Sequence, residues 1–123
     1  MRLLLDTHVL IWWDAGARLS REARNAIRDA DEVYVSAASA WEIAIKTALG
    51  RIVTSRTVGD AVQASGFIEL PILFRHADAL AALPPLHRDP FDRLLVAQAH
   101  VEKLTILTRD ALVSQYAVKV IRA

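Results

Sequence analysis

A chain of 123 residues, 54% hydrophobic and 24% charged, has the length and apolar content for one compact domain and little scope for disorder. It contains no cysteine, which excludes disulfides, thiolate metal sites and a cysteine nucleophile and fits a reducing, cytoplasmic setting. The formal net charge of +1 is too small for a general nucleic-acid binder, no apolar run reaches a membrane span, and Asp6 interrupts the start before a secretory leader could form.

Residues 2–5 read as a strand that ends on Asp6, and a short helical turn is expected over residues 9–13. Ser20 caps a helix predicted over residues 21–30, followed by a strand at 32–35. Ser36 opens a strong helix over 37–49 stopped by Gly50, and a further helix over 57–65 is closed by Gly66. A third strand is expected at 67–70, and a helix around 74–83 ends at Pro84 and Pro85. Asp89 and Pro90 are the N-cap and first position of a helix reaching about Lys103. Strands at 105–107 and 117–121 complete the chain. Apolar runs alternating with helical patterns predict an α/β class, a three-layer α/β/α fold around a central, mainly parallel sheet, with residues 1–123 as a single domain.

In an open parallel sheet, functional groups collect outside the carboxyl ends of the strands. Asp6 follows the first strand and Asp110 the fourth. Glu42 lies in the second turn of the helix after the second strand, and Asp89 and Asp92 occupy the start of a late helix. Convergent carboxylates repel, so they must protonate or share a cation. Oxygen ligands without cysteine favour Mg²⁺ or Mn²⁺ over zinc, and such ions activate water and stabilise charge on a phosphodiester. Helix N-termini near Asp89, Asp92 and Asp110 are expected to help keep them ionised. Each acid also has a structural account: Asp6 and Asp110 as turn or helix caps, Glu42 as partner of Lys46, Asp89 as N-cap, Asp92 as complement to a helix dipole. Their joint placement at the strand ends is what favours a site.

Four stretches resemble the VapC-type PIN domains: residues 4–12 (LLDTHVLIW), 36–46 (SAASAWEIAIK), 87–99 (HRDPFDRLLVAQA) and 107–110 (LTRD). They follow in order along nearly the whole chain. The resemblance implies a metal-dependent endoribonuclease, the toxin of a type II toxin–antitoxin module, cutting tRNA or other structured RNA and inhibited by a cognate antitoxin. It carries the metal ligands onto Asp6, Glu42, Asp92 and Asp110, with Mg²⁺ or Mn²⁺ as cofactor. Asp89 is a further acid of the subgroup with a DPFDR run. By the same analogy, Glu42 helps to hold the metal and orient the attacking water. Thr7 and Thr108 match supporting hydroxyl positions, and Arg93 is expected to position a neighbouring carboxylate or a phosphate. A homodimer is implied as well.

Arg21, Arg24 and Arg28 share one helix face and form the best cluster for RNA contact, with an ordinary solvated face as the alternative. His8 and His87 adjoin the acidic motifs, where contact with RNA or with a carboxylate beside the metal is the alternative to turn packing, the expectation for both; His76 and His100 read as surface or packing residues. Trp12 and Trp13 are expected to help bind an antitoxin or a second copy. A haloacid-dehalogenase-like phosphohydrolase shares the opening strand and Asp but needs a second Asp where this chain has His8. A receiver domain needs an Asp after the central strand, where Glu69-Leu70 leads into Pro71. A catalytically silent RNA- or protein-binding PIN module is the other alternative.

Overall fold

In the computed structural model, which describes residues 1–123, the side chains of Leu3, Leu4 and Leu5 are fully buried. Successive strand residues point to opposite faces, so this run feeds two cores at once. Leu3 and Leu5 pack with Val33, Val35 and Leu107 on one face; Leu4 packs with Ile106, Val96 and Tyr116 on the other. That requirement for burial on both sides is why the strand is apolar throughout rather than alternating.

The elements run β1 (Arg2–Leu5), α1 (Thr7–Ala15), α2 (Arg21–Asp29), β2 (Glu32–Ser36), α3 (Ala37–Ala48), α4 (Val58–Ser65), β3 (Ile68–Leu70), α5 (Phe74–Ala81), α6 (Pro90–Glu102), β4 (Thr105–Thr108) and β5 (Val120–Arg122). The sheet order is β3-β2-β1-β4-β5, and every neighbouring pair is parallel. The chain therefore winds outward from β1 to β3, then crosses back to place β4 on the other side of β1. Right-handed crossovers in opposite directions put helices on opposite faces. Val9, Leu10, Ala23, Ile27 and Ile43 from α1 to α3 fill one core, and Leu95, Val96 and Ala99 of α6 fill the other. The winding reverses between β1 and β4, and at that point the loops diverge to leave a crevice at the carboxyl ends.

Capping explains most helix starts. Ser20, Ser36, Thr57 and Asp89 each accept a backbone N–H from the first turn that follows. After α3, Gly50 takes a φ of 71°, a conformation that glycine adopts without steric cost. Two expectations need correction. Asp6 caps α1 through the His8 N–H at 3.0 Å, so the expected turn over 9–13 is a nine-residue helix beginning at Thr7. The last strand starts at Val120 rather than 117, because a 3₁₀ turn at Val113–Gln115 precedes it and its register with β4 begins at Ile106 and Val120. No helix is long and apolar enough to cross a membrane.

A buried polar chain joins the helices of the second face to α3. Ser36 Oγ donates to Gln98 Oε1 at 2.5 Å and also accepts the Ala38 N–H. Gln98 Nε2 donates to the Pro71 carbonyl at 3.2 Å. His76, expected as a surface or packing residue, is fully buried and not at the surface; its Nδ1 accepts the Leu73 N–H at 3.0 Å and its Nε2 meets Glu102 Oε2 at 2.8 Å. Removing one partner from a buried pair costs about 1–3 kcal/mol for each group left unsatisfied. Glu102 keeps its bond from Arg75, so His76→Ala strands the Leu73 N–H alone, and a loss of about 1–3 kcal/mol in urea-unfolding free energy is expected. An unchanged midpoint would show that water or neighbouring side chains replace the ring.

Candidate metal centre

Asp6 leaves the end of β1 buried at the winding reversal. Its Oδ1 accepts the His8 N–H, and its Oδ2 accepts the Thr108 hydroxyl at 2.5 Å. The same Thr108 oxygen accepts the Asp110 N–H at 3.0 Å. One hydroxyl thus ties the ends of β1 and β4 together and sets both acids. Asp110 also folds back on its own loop, with Oδ1 accepting the Leu112 N–H at 2.9 Å.

Glu42 sits one turn into α3, buried, and both of its oxygens are engaged. Oε1 accepts the Thr7 hydroxyl at 2.8 Å, and Thr7 Oγ1 is also 2.9 Å from Ser39 Oγ. Oε2 accepts from Lys46 Nζ at 2.5 Å. Asp89 caps α6 through the N–H groups of Phe91 (2.8 Å) and Asp92 (3.4 Å). Asp92, in the first turn of α6, faces the crevice, where its Oδ2 lies 3.1 Å from His87 Nε2. Ligand atoms of His87, Asp92 and Asp110 all fall within 4.8 Å of one another. Side-chain exposure rises from 3% at Glu42 and 9% at Asp6 to 16% at Asp92 and 31% at Asp110. The site therefore has a closed floor and an open mouth.

Electrostatics separates these acids. Burial pushes the Asp92 carboxyl up to about 7, and the charges of Asp6, Asp89 and Asp110 add to it against His87. The expectation that a helix N-terminus keeps this group ionised is corrected: even partly buried, the dipole is worth at most about 2 kcal/mol, too little against desolvation plus three like charges. Asp6 behaves oppositely. Burial works to raise its pKa, but the His8 ring, the Thr108 hydroxyl and the His8 N–H together hold it below the usual carboxylate range. The ring's contribution is that of an ion pair, since Nδ1 stands 3.8 Å from Asp6 Oδ1. Asp6 in turn lifts the pKa of His8. Hydrogen bonding to Glu42 first, then the charges of Glu42, Asp89 and Asp92, outweigh burial to raise that of Lys46. For His87, burial opposes the charged form, but the bond to Asp110 and the charges of Asp92, Asp110 and Asp89 prevail and raise its pKa.

Other expected site residues lie elsewhere. Arg93 meets no carboxylate; its guanidinium donates to the carbonyls of Pro84, Leu83 and Leu80, at the end of α5 and in the turn that follows. Arg21, Arg24 and Arg28 are exposed on α2, and none bonds a site acid. Because α2 runs back along the sheet, Arg28 stands about 10 Å farther down the helix than Arg21. Trp12 packs beneath the Arg109 guanidinium, and Trp13 Nε1 donates to Ser65 Oγ at 3.0 Å beside Phe67. Both indoles are partly buried against the first core. Ser39 and Tyr116 escaped the sequence reading. Ser39 was accessible to it, three residues before Glu42 on the same helix face; Tyr116, which accepts the His87 N–H at 2.9 Å, was not.

The PIN-domain family profile matches residues 3–119. The chain belongs to the PIN-domain family. It is 34% identical over 116 residues to Ribonuclease VapC22 of Mycobacterium tuberculosis, covering 88% of this chain and 86% of that protein. Solved structures with the same fold include VapBC2 from Rickettsia felis bound to a promoter DNA fragment (TM-score 0.75, 10% identity, 100% and 99% of the two chains). A toxin–antitoxin complex from Klebsiella pneumoniae aligns with a TM-score of 0.67 at 20% identity, over 97% and 95% of the chains. FitAcB from Neisseria gonorrhoeae follows at 0.65 and 21%, over 97% and 96%. Membership of the PIN family leaves the haloacid-dehalogenase-like alternative without support.

The residues of this PIN domain suit a hard divalent cation. Carboxylates from three chain segments face one crevice, and one of them, Asp92, is driven toward protonation by burial and by the charges of the others. A divalent cation relieves that repulsion, and oxygen donors match Mg²⁺ or Mn²⁺. Asp89 spends one oxygen on both backbone bonds that cap α6, while its charge acts on Asp92. Asp89→Ser retains a capping hydroxyl, so melting temperature should hold within a few degrees and cleavage within about tenfold. A loss as deep as that of Asp92→Asn would move Asp89 from cap to ligand.

Proposed function

We infer that this PIN domain is a metal-dependent ribonuclease of the VapC type, the toxin of a toxin–antitoxin pair. The carrying observation is the carboxylate cluster at the winding reversal, in which Asp92 is held at about 7 by burial and by Asp6, Asp89 and Asp110. In this reading Asp6, Asp92 and Asp110 bind one or two ions, and Glu42 completes the set from the floor. A bound Mg²⁺ or Mn²⁺ supplies a water of lowered pKa and offsets the charge that develops on the phosphodiester.

The chain's own residues prepare that chemistry. Thr108 holds Asp6 and Asp110 in fixed relation, and Thr7 and Lys46 orient the two oxygens of Glu42. Lys46 and the half-exposed His8, both with raised pKa, place positive charge where a phosphate would enter. Hydrolysis joins the water oxygen to phosphorus and breaks one P–O ester bond, and the departing oxygen takes up a proton. A polymer suits a crevice open at its mouth, and tRNA or another structured RNA is the proposed substrate. The cognate partner is an antitoxin protein, the assembly a homodimer, and the setting cytoplasmic.

Purified, antitoxin-free protein incubated with total RNA tests this directly. Discrete cleavage with Mg²⁺ or Mn²⁺, abolished by EDTA, is the expected result. Intact RNA in the presence of folded, metal-loaded protein would leave a silent PIN module as the better description.

A further inference from the structure

His87 is the histidine whose ring spans two of the site acids. Its Nε2 lies 2.6 Å from Asp110 Oδ2 and 3.1 Å from Asp92 Oδ2, with the side chain 10% exposed. Taken as spacing alone, the three groups offer a cation one nitrogen and two oxygens. The far side of the ring decides otherwise. Nδ1 accepts the backbone N–H of Asp89 at 3.0 Å. A ring nitrogen that accepts an N–H carries no proton, so the proton of the neutral imidazole sits on Nε2. The Nε2–H tautomer is the neutral form that this backbone bond fits. An Nε2 bearing hydrogen has no lone pair left for a metal.

We propose that His87 is a positioning residue that donates its Nε2–H to Asp110, within reach of Asp92, and sets the two carboxylates for a divalent cation without binding it. This rests on the metal-dependent reading of the site. The lock on the ring is built from the site itself: Asp89, which supplies the N–H, is the N-cap of the helix that carries Asp92. The Tyr116 hydroxyl holds the His87 backbone from the β5 side. A carboxylate oxygen that accepts one hydrogen bond keeps a second lone pair, so donation from His87 leaves both acids free to ligate. Donors of this kind orient metal-binding carboxylates, and their loss costs about 10–100-fold in metal affinity.

Mn²⁺ binding to the folded protein without RNA, measured by calorimetry for the parent, His87→Ala, His87→Gln and Asp6→Asn, tests the assignment. His87→Ala should bind about 10–100-fold more weakly. His87→Gln, whose amide N–H has similar reach, should recover most of the loss. Nitrogen NMR of the His87 ring in the unaltered protein should show Nε2 protonated and Nδ1 bare, both before and after saturation with Mg²⁺. Parent-like affinity in His87→Ala, with Asp6→Asn impaired, would overturn the role of His87 and leave the metal site standing. Loss of the Nε2 proton on Mg²⁺ binding, with no rescue by Gln, would make His87 a direct ligand instead. Parent-like affinity in both His87→Ala and Asp6→Asn would remove the metal site and this proposal with it.

Discussion

Asp6→Asn is expected to lower single-turnover RNA cleavage by more than about 100-fold, a larger effect than loss of an outer partner of a metal ligand. Asp6 has little freedom: it is buried, held by Thr108 and the His8 N–H, and kept below the usual carboxylate range. It therefore presents a full negative charge at a fixed place, which an amide cannot supply. Asparagine retains an oxygen for one of those bonds and an amide that Thr108 can turn to meet, so the fold should survive. Cleavage within tenfold of the parent, in a variant with unchanged melting temperature, would take Asp6 out of the metal site.

Asp92→Asn should do two opposite things: abolish cleavage and stabilise the metal-free protein. In the folded state Asp92 titrates at about 7, against an ordinary value of 3.8. A shift of about 3 units corresponds to a ceiling of about 4 kcal/mol, and solvent access at the crevice mouth cuts this to about 2 kcal/mol. For a chain of this size that is a rise of several degrees in melting temperature. The direction follows from proton counting. A carboxyl with a raised folded pKa binds more protons when folded, so its contribution to stability is greatest below pH 3.8 and falls as pH rises toward 7. The raised pKa of His87 acts the same way above its unfolded value. Metal-free protein should thus lose stability between about pH 4 and 7 from Asp92 and above pH 6.5 from His87, and Mn²⁺ at pH 8 should restore it. Differential scanning calorimetry of parent and Asp92→Asn across that range measures both. Destabilisation of the metal-free variant at pH 8 would mean that Asp92 is held by a favourable contact rather than strained by its neighbours.

These two variants separate groups that look alike in the sequence. Asp6 and Asp92 are both aspartates at the edge of a regular element, and each has an adequate reading as a helix-terminal acid. Only their neighbours distinguish them. Asp6 receives two hydrogen-bond donors, whereas Asp92 is partly buried among three other carboxylates, with His87 as its relief.

What the sequence determined by itself was whatever depends on short-range pattern. The Leu3-Leu4-Leu5 run, the caps at Ser20, Ser36 and Asp89, and Gly50 at its positive φ each act within a few residues, so their chemistry is written locally. The acids were legible for the same reason, because each follows directly on an element that the local pattern defines. Tertiary structure decided which partners those groups meet. Arg93 turns to carbonyls at Leu80, Leu83 and Pro84, and Thr108 binds Asp6 across 102 positions of sequence. His87 comes to rest between Asp92 and Asp110 because α6 and the loop after β4 meet where the winding reverses. Hydrogen bonds and charge act through a few ångströms of space, and that proximity is set by how the sheet is wound rather than by the order of residues along the chain.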